Sequence, residues 1–342
     1  MEKIVSSLDG QQWISITHHS DIAAARRLGQ RMAQDLGFDE TRVGKLAIVI
    51  TEAATNMLKH AGEGRIMLSP LQAAGAVGVE VLAFDHGPGI VNLGQALRDG
   101  VSTAGTAGTG LGALKRLSDQ FDVYTARDKG AVFLMRLWSA QPQPQLISGA
   151  VCLPLAGETE SGDAWAVARL QSDTALMMVD GLGHGPDAAK AAAAALATLA
   201  QRPGLRPAQQ VEACHIALRP TRGAALAAAL YDPVGGQLYF AGVGNIGACI
   251  VDGGPRRQLV SHNGIVGHNM RKVQEFTVPC GAGALVILAS DGVSTQWDLA
   301  PYAGLTACDP AIIAAVLLRD FARGRDDASV LVMRCPEAVP WR

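Results

Sequence analysis

The sequence predicts an α+β protein built from two consecutive domains. Three features predict it: a length of 342 residues, a proline and glutamine break near the middle, and strand-like segments not joined by regular βαβ crossovers. The length exceeds the roughly 100 to 200 residues of one domain, and each half is long enough to bury a core of its own. Residues 141–145 read QPQPQ, a composition that favours extended, solvated chain. The expected division is therefore a first domain over 1–140, a linker over 141–146 and a second domain over 147–342. No repeat of 20 to 50 residues is visible, which sets solenoids and propellers aside.

In the first domain, SDIAAARRLGQRMAQDLG places apolar groups at Ile22, Ala25, Leu28, Met32 and Leu36, with Ser20 or Asp21 as the expected cap and Gly37 as the stop. A second helix is expected from about Asp39, burying Val43, Leu46, Ile50, Ala54 and Met57. It leaves Lys45, Glu52, Asn56 and His60 on another face. RIMLSPLQ, GVEVLAFDHG and DVYTARDKGAVFLMRLW have strand character with glycine-containing turns. In the second domain, apolar strands end at Asp180 and Asp291, and an alanine-rich helix is expected over 186–201 with another over 207–218. AALAAALYDP, GQLYFAGVGNIGACIV, GALVILASDG and DASVLVMR supply further strands. Many strands with few helices suggest two packed sheets with helices outside.

With 29 basic and 31 acidic side chains the formal charge is -2, which gives no reason to expect nucleic acid or an anionic membrane as partner. The six cysteines include no C-x-x-C pair and read as reduced packing residues, with no zinc site expected. The opening MEKIVSSLDG has no apolar core of a signal peptide, and AKAAAAALATLAQ falls short of the ~20 residues that span a bilayer. The expectation is a cytoplasmic protein.

Glu52 and Asn56 lie four apart on one helix face, so both can address one bound group. Alone, that pair reads as a solvated face. It gains weight from DHGPGI at 85–90, where an acid ends a strand and Gly87 and Gly89 let backbone approach a ligand. Further on, GTAGTGLGALKRLSDQ places Gly105, Gly108, Gly110 and Gly112 just before an amphipathic helix, where N–H groups and the helix dipole can hold phosphate. Neither a Rossmann fingerprint nor a Walker loop fits: no G-x-G-x-x-G directly follows a strand, and Gly44-Lys45 is followed by leucine inside a helix.

In this order, TEAATNMLKHAG, DHGPGI and TGLGALKRLSDQF resemble the N, G1 and G2 boxes of the GHKL superfamily, and within it the RsbT branch of bacterial serine kinases. The resemblance covers about residues 12–138 and implies a Bergerat-type α/β sandwich that binds ATP with Mg²⁺. It further implies that Asn56 helps to ligate the Mg²⁺, Asp85 accepts from the adenine amino group, and Gly87 and Gly89 shape the base pocket. Gly108, Gly110 and Gly112 would line the phosphates, and Glu52 would be the general base. Lys59 and His60 have a sufficient reason to stand at a helix C-terminus, and His86 reads as a pocket-rim residue.

The second half carries Asp163 in SGDAW, Asp180 in MMVDGLGHG, Asp291 in LASDGV, and Asp326-Asp327 in RDDASVLVMR. A single D-G is an ordinary turn. A full set at converging strand ends is costly to bury unless cations compensate. Oxygen ligands without histidine or cysteine favour Mg²⁺ or Mn²⁺ over zinc. Two such ions roughly 3.5 to 4 Å apart can activate a water in line with phosphorus, without a covalent intermediate. No G-x-S-x-G elbow or cysteine phosphatase loop competes.

GDAW, VDGLGHGPDAA, LYFAGVGN, ILASDG and RDDASVLV resemble the SpoIIE and RsbX branch of the PPM metal-dependent phosphatases over about 147–335, with Ser161 where a glycine is common. The resemblance implies an α-β-β-α sandwich in which Asp180 bridges two Mn²⁺ or Mg²⁺ ions, the Gly181 carbonyl supports one, Asp291 with Asp326 completes the other, and Asp163 acts directly or through water. Asp327 is as apt to support its neighbour as to touch metal. His184 has a structural explanation in the G-H-G turn before Pro186. Together the resemblances imply a bifunctional partner-switching enzyme that phosphorylates and dephosphorylates serine or threonine on a STAS-domain protein, of the RsbS/RsbR or anti-sigma-antagonist kind. The competing reading is a phosphatase whose first domain binds nucleotide only to sequester a partner.

Overall fold

In the computed structural model of the protein, residues 4–7, 10–73, 75–97, 110–140 and 146–338 are described, 4–7 as backbone only. The expected linker at 141–145, together with Gly105 and Gly108, lies outside them. The chain forms two compact units. One comprises Asp9–Gln145 with Tyr302–Ala315, and the other Met1–Leu8, Leu146–Pro301 and Val316–Arg342. A single cut near 141–146 therefore misplaces two segments, because each is held by partners far away in sequence.

The first strand, β1 (Ile4–Ser7), belongs to the second unit. The first unit starts with β2 (Gln12–Ile16), α1 (His19–Asp35) and α2 (Glu40–Ala61). It continues through β3 (Gly64–Ala73), β4 (Ala76–Phe84), the short α3 (Leu93–Ala96), α4 (Gly110–Leu117), β5 (Gln120–Thr125) and β6 (Ala131–Trp138). Its sheet is antiparallel in the order β2-β3-β4-β6-β5.

The α2 helix starts where the sequence places it, with the Asp39 carboxylate accepting the Arg42 N–H (2.8 Å), and buries Val43, Leu46, Ile50, Ala54 and Met57. The α1 cap differs from expectation. His18 is the N-cap, and Asp21, one turn in, accepts the N–H groups of Thr17 (3.0 Å) and His18 (2.8 Å). The helices cover one sheet face, where Leu46, Ile50 and Met57 pack with Ile66, Val81 and Met135. Strand alternation turns Glu80 and Arg136, direct cross-strand partners, to the other face. There Arg136 donates to Glu80 (2.7 Å) and to both oxygens of Asp309 (2.6 and 2.9 Å). A buried guanidinium needs such acceptors, which is why the Tyr302–Ala315 segment belongs to this unit.

The second unit contains β7 (Ser148–Leu153), β8 (Asp163–Arg169), β9 (Thr174–Gly181), α5 (Pro186–Gln201), α6 (Pro207–Ala217), β10 (Ala224–Asp232) and β11 (Gln237–Val243). After these come β12 (Gly247–Val251), β13 (Arg257–Leu259), β14 (Phe276–Pro279), β15 (Leu285–Ala289), the apolar α7 (Pro310–Phe321), whose first residues belong to the other unit, and β16 (Ala328–Arg334). The strands form two sheets, β1-β8-β9-β10-β11-β14 and β13-β12-β15-β16-β7. Trp165, Val167, Leu176 and Met178 meet Val286, Leu288, Leu331 and Met333 between them. On the outer face, Ala164, Ala166, Met177 and Val179 pack with Ala192, Ala195, Leu199 and Val211 of α5 and α6, and the small side chains let those helices lie close. No helix among the described residues is long and apolar enough to cross a membrane.

Candidate functional sites

In the first unit, Glu52 and Asn56 are partly buried on one face of α2. The Asn56 side chain lies against Gly110, the first residue of α4, where a side chain in place of hydrogen would meet its amide. Asn56 Nδ2 is shielded from solvent and has no hydrogen-bond partner. An unmatched buried donor is costly, and this one sits beside the first N–H groups of a helix, which have no intrahelical acceptors. Asp85, only 9% exposed, directly follows β4. Its Oδ1 accepts the N–H of Gly87 (2.8 Å) and of Ala131 (3.3 Å), which fixes the carboxylate at the end of the central strand. Gly89 adopts φ 74°, and its backbone passes so close to the Ala126 carbonyl that no side chain fits. Gly110 opens α4 and Gly112 is buried within it, while Gly108 falls outside the described residues.

The acidic residues of the second unit gather at one end of the sandwich. Asp163 begins β8, Asp180 is the penultimate residue of β9, and the two are direct cross-strand partners. By strand alternation both share the side of Trp165 and Met178, facing between the sheets. From the opposite sheet, Ser290, just past β15, donates to Asp163 Oδ2 (2.6 Å). Asp291 follows and accepts from Asn245 Nδ2 (2.6 Å). Gly292 is required here, because its backbone lies against the Asp327 carbonyl with no room for a side chain. Gly181 ends β9 and donates its N–H to the Gly162 carbonyl (3.0 Å).

Asp326 and Asp327 differ in role. Asp326 is exposed, while Asp327 is 3% exposed and accepts the N–H groups of Leu155 and Gly162 at 2.7 Å each. Asp327 therefore braces the turn that presents Asp163. Sequence reasoning missed Ser290 and Asn245 as partners of the acidic residues, although both stood inside the quoted blocks SDG and GVGN. His184 Nδ1 lies 2.6 Å from Glu158 Oε1.

Burial and the neighbouring carboxylates push Asp163 up to about 7, against the opposing hydrogen bond from Ser290. Burial, then the charges of Asp163, Asp291 and Asp326, push Asp180 up to about 8. Asp291 is raised by burial and by Asp326. The end of the sandwich is thus a concentration of negative charge whose members resist ionising together. Among the described residues, no three side chains of His, Cys, Asp or Glu stand close enough to form a ligand set unaided.

A family model described as the histidine kinase-like ATPase domain matches residues 17–137, and one described as stage II sporulation protein E (SpoIIE) matches residues 171–336. The serine/threonine-protein kinase RsbT of Bacillus subtilis (strain 168) is 34% identical over 131 residues, which cover 38% of this chain and 98% of that protein. A solved chain from work on the bacterial stressosome, described as a modular system adapted to control secondary messenger signaling, aligns at 30% identity with a TM-score of 0.52. It covers 56% of this chain and 100% of its own length. Both resemblances read from the sequence, and the fold class they imply, are borne out.

Proposed function

The chain belongs to the RsbT family of serine/threonine-protein kinases through its N-terminal part and carries a SpoIIE-type protein phosphatase domain in its C-terminal part, and from that premise we propose a bifunctional partner-switching enzyme. It adds phosphate to a serine or threonine of a STAS-domain protein with one unit and removes it, from the same or a related protein, with the other. The observation that supports this reading is that Glu52 and Asn56 share one face of α2 in one unit, while Asp163, Asp180, Asp291 and Asp326 gather at one end of the sandwich in the other. On this reading the protein acts in the cytoplasm.

In the kinase unit, the carboxylate of Glu52 takes the proton of the attacking hydroxyl. Asn56 fits a nucleotide with its Mg²⁺, because its unmatched Nδ2 beside Gly110 can donate to a nucleotide oxygen while its Oδ1 would ligate the cation, and the start of α4 fits phosphate oxygens. Asp85, held rigid by its two backbone donors, is set to accept from the amino group of adenine, with Gly87 and Gly89 giving the base close access to backbone.

In the phosphatase unit, the donor chemistry fits hard divalent cations, because Asp163, Asp180, Asp291, Asp326 and the Gly181 carbonyl offer only oxygen. Bound Mn²⁺ or Mg²⁺ would supply an activated water and neutralise phosphoryl charge. The protein's own part is positional. Ser290 and Asn245 orient the carboxylates of Asp163 and Asp291, and Asp327 holds the turn at Gly162. The test is to incubate the purified full chain with γ-labelled ATP, Mg²⁺ and a STAS-domain protein, and to follow label onto and then off the protein. Label that transfers and later appears as inorganic phosphate supports the proposal, and absence of transfer leaves the first unit as a nucleotide-binding module.

A further inference from the structure

We propose that the second unit carries a binding cavity for an acidic polypeptide segment beside its acidic centre, and that this cavity selects phosphoprotein substrates by the residues flanking the phosphorylated side chain. The inference rests on the phosphatase reading of the second unit. A cavity of about 490 Å³ is lined by Val243, His262, Asn263, Asn269, Arg271 and Lys272 among others, with no acidic side chain in its wall. Arg271 and Lys272 are exposed, and no ion pair of theirs is found among the described residues. The nearest acid along the chain, Glu275, is already taken by Arg206 (3.0 and 2.5 Å) and leaves their charge uncompensated. His262 stacks on Phe276 with ring centroids 5.9 Å apart, while its Nε2 is shielded and lacks a hydrogen-bond partner. A recess with two unneutralised cations, two side-chain amides and an unmatched imidazole nitrogen suits a ligand rich in carboxylate or phosphate oxygens.

The place of the cavity makes it part of substrate selection. His262 exchanges backbone hydrogen bonds with Gly242 and Gly244 (2.8 Å each), and the next residue, Asn245, holds Asp291. On the other side, Val266 pairs with Ala224 (3.0 and 2.9 Å), and Gly223 accepts the N–H of Leu182, two residues past Asp180. The loop that forms the cavity is therefore tied to the turns carrying both Asp180 and Asp291. A phosphorylated residue presented to those aspartates brings its sequence neighbours within reach of this loop. The anionic centre repels an acidic protein, and a cationic recess beside it offsets that repulsion for partners with acidic flanks.

The test uses the full chain with Mn²⁺ and three substrates: a phosphoserine peptide flanked by glutamates, the same peptide flanked by lysines, and p-nitrophenyl phosphate. The parent is expected to favour the glutamate-flanked peptide by on the order of tenfold in kcat/KM, through KM. Arg271→Glu with Lys272→Glu should reverse that preference while leaving p-nitrophenyl phosphate hydrolysis unchanged. Equal treatment of both peptides by the parent, an unreversed preference in the double variant, or a parallel loss on p-nitrophenyl phosphate would overturn the proposal. Binding of a fluorescent, unphosphorylated glutamate-rich peptide in chelator separates this from failure of the phosphatase reading. Salt-sensitive binding lost in the double variant supports the cavity even in a chain that hydrolyses nothing, and binding unaffected by the charge reversal overturns it.

Discussion

Asp163 and Asp180 stand directly opposite each other across two antiparallel strands, with both side chains facing between the sheets. Like charges opposed in this way destabilise a sheet, and Asp163 is only 1% exposed, so water cannot screen it. A divalent cation held between them, as proposed above, would offset that cost. Without one, the two carboxyls hold protons to about 7 and about 8.

The first prediction follows from that linkage. The usual carboxyl value is 3.8, so between about pH 4 and pH 8 the folded chain binds more protons here than the unfolded chain. These groups therefore lower metal-free stability as pH rises through that window. In chelator, Asp180→Asn should melt higher than the parent at pH 8, by roughly 5 °C, with the gap closing towards pH 4. Saturating Mn²⁺ or Mg²⁺ should reverse the order at pH 8 by stabilising the parent. Calorimetry of the full chain checks it, and a variant that melts below the parent in chelator at pH 8 contradicts it.

A second prediction concerns the brace. Asp327→Ala leaves the N–H groups of Leu155 and Gly162 without their acceptor and should destabilise the second unit by about 2 to 4 kcal/mol. Phosphatase activity should fall because Asp163 loses its fixed position. Denaturant unfolding beside a phosphate-release assay reads both, and unchanged stability would show that Asp327 is not a brace.

Helix α2 was legible in full because a capping aspartate and a 3.6-residue apolar period agree on one answer, and the acidic strand ends stood out because D-G after an apolar run is a local signal. What escaped was nonlocal. IVSS at the N-terminus carries no sign that it pairs with β8, and Asp309 carries none that it meets Arg136, 173 positions earlier. The His18 cap was missed because Ser20 and Asp21 are stronger capping types, and the reciprocal bond from Asp21 decided the start. Ser290 became a partner of Asp163 only when the two sheets were brought face to face, and Asn245 a partner of Asp291 only when β12 was paired with β15.

A third prediction tests the unmatched amide in the kinase unit. Asn56→Ala removes a buried donor that has no protein acceptor, so the fold should lose little, while Mg²⁺-dependent ATP binding should weaken on the order of tenfold. Calorimetric titration of the full chain with ATP, with and without Mg²⁺, measures it. Equal affinity in variant and parent would remove Asn56 from the site.

A fourth prediction separates catalysis from binding. Glu52→Gln keeps size and polarity but cannot accept a proton, so ATP affinity should stay within about twofold while transfer to the partner protein falls by 10² or more. Label transfer at saturating ATP decides it, and a variant that transfers at the parent rate would exclude Glu52 as the base.

The opposed pair at the sandwich mouth is tested most directly by phosphate release from a phosphoserine STAS protein across a Mn²⁺ titration, comparing the parent with Asp180→Asn, Asp291→Asn and Asp326→Asn. Asp180 is proposed to serve both cations, and each of the others one. High Mn²⁺ should therefore restore much of the activity of Asp291→Asn and Asp326→Asn and little of Asp180→Asn. Hydrolysis that persists in chelator, or an Asp180→Asn chain with the parent rate, would contradict the account.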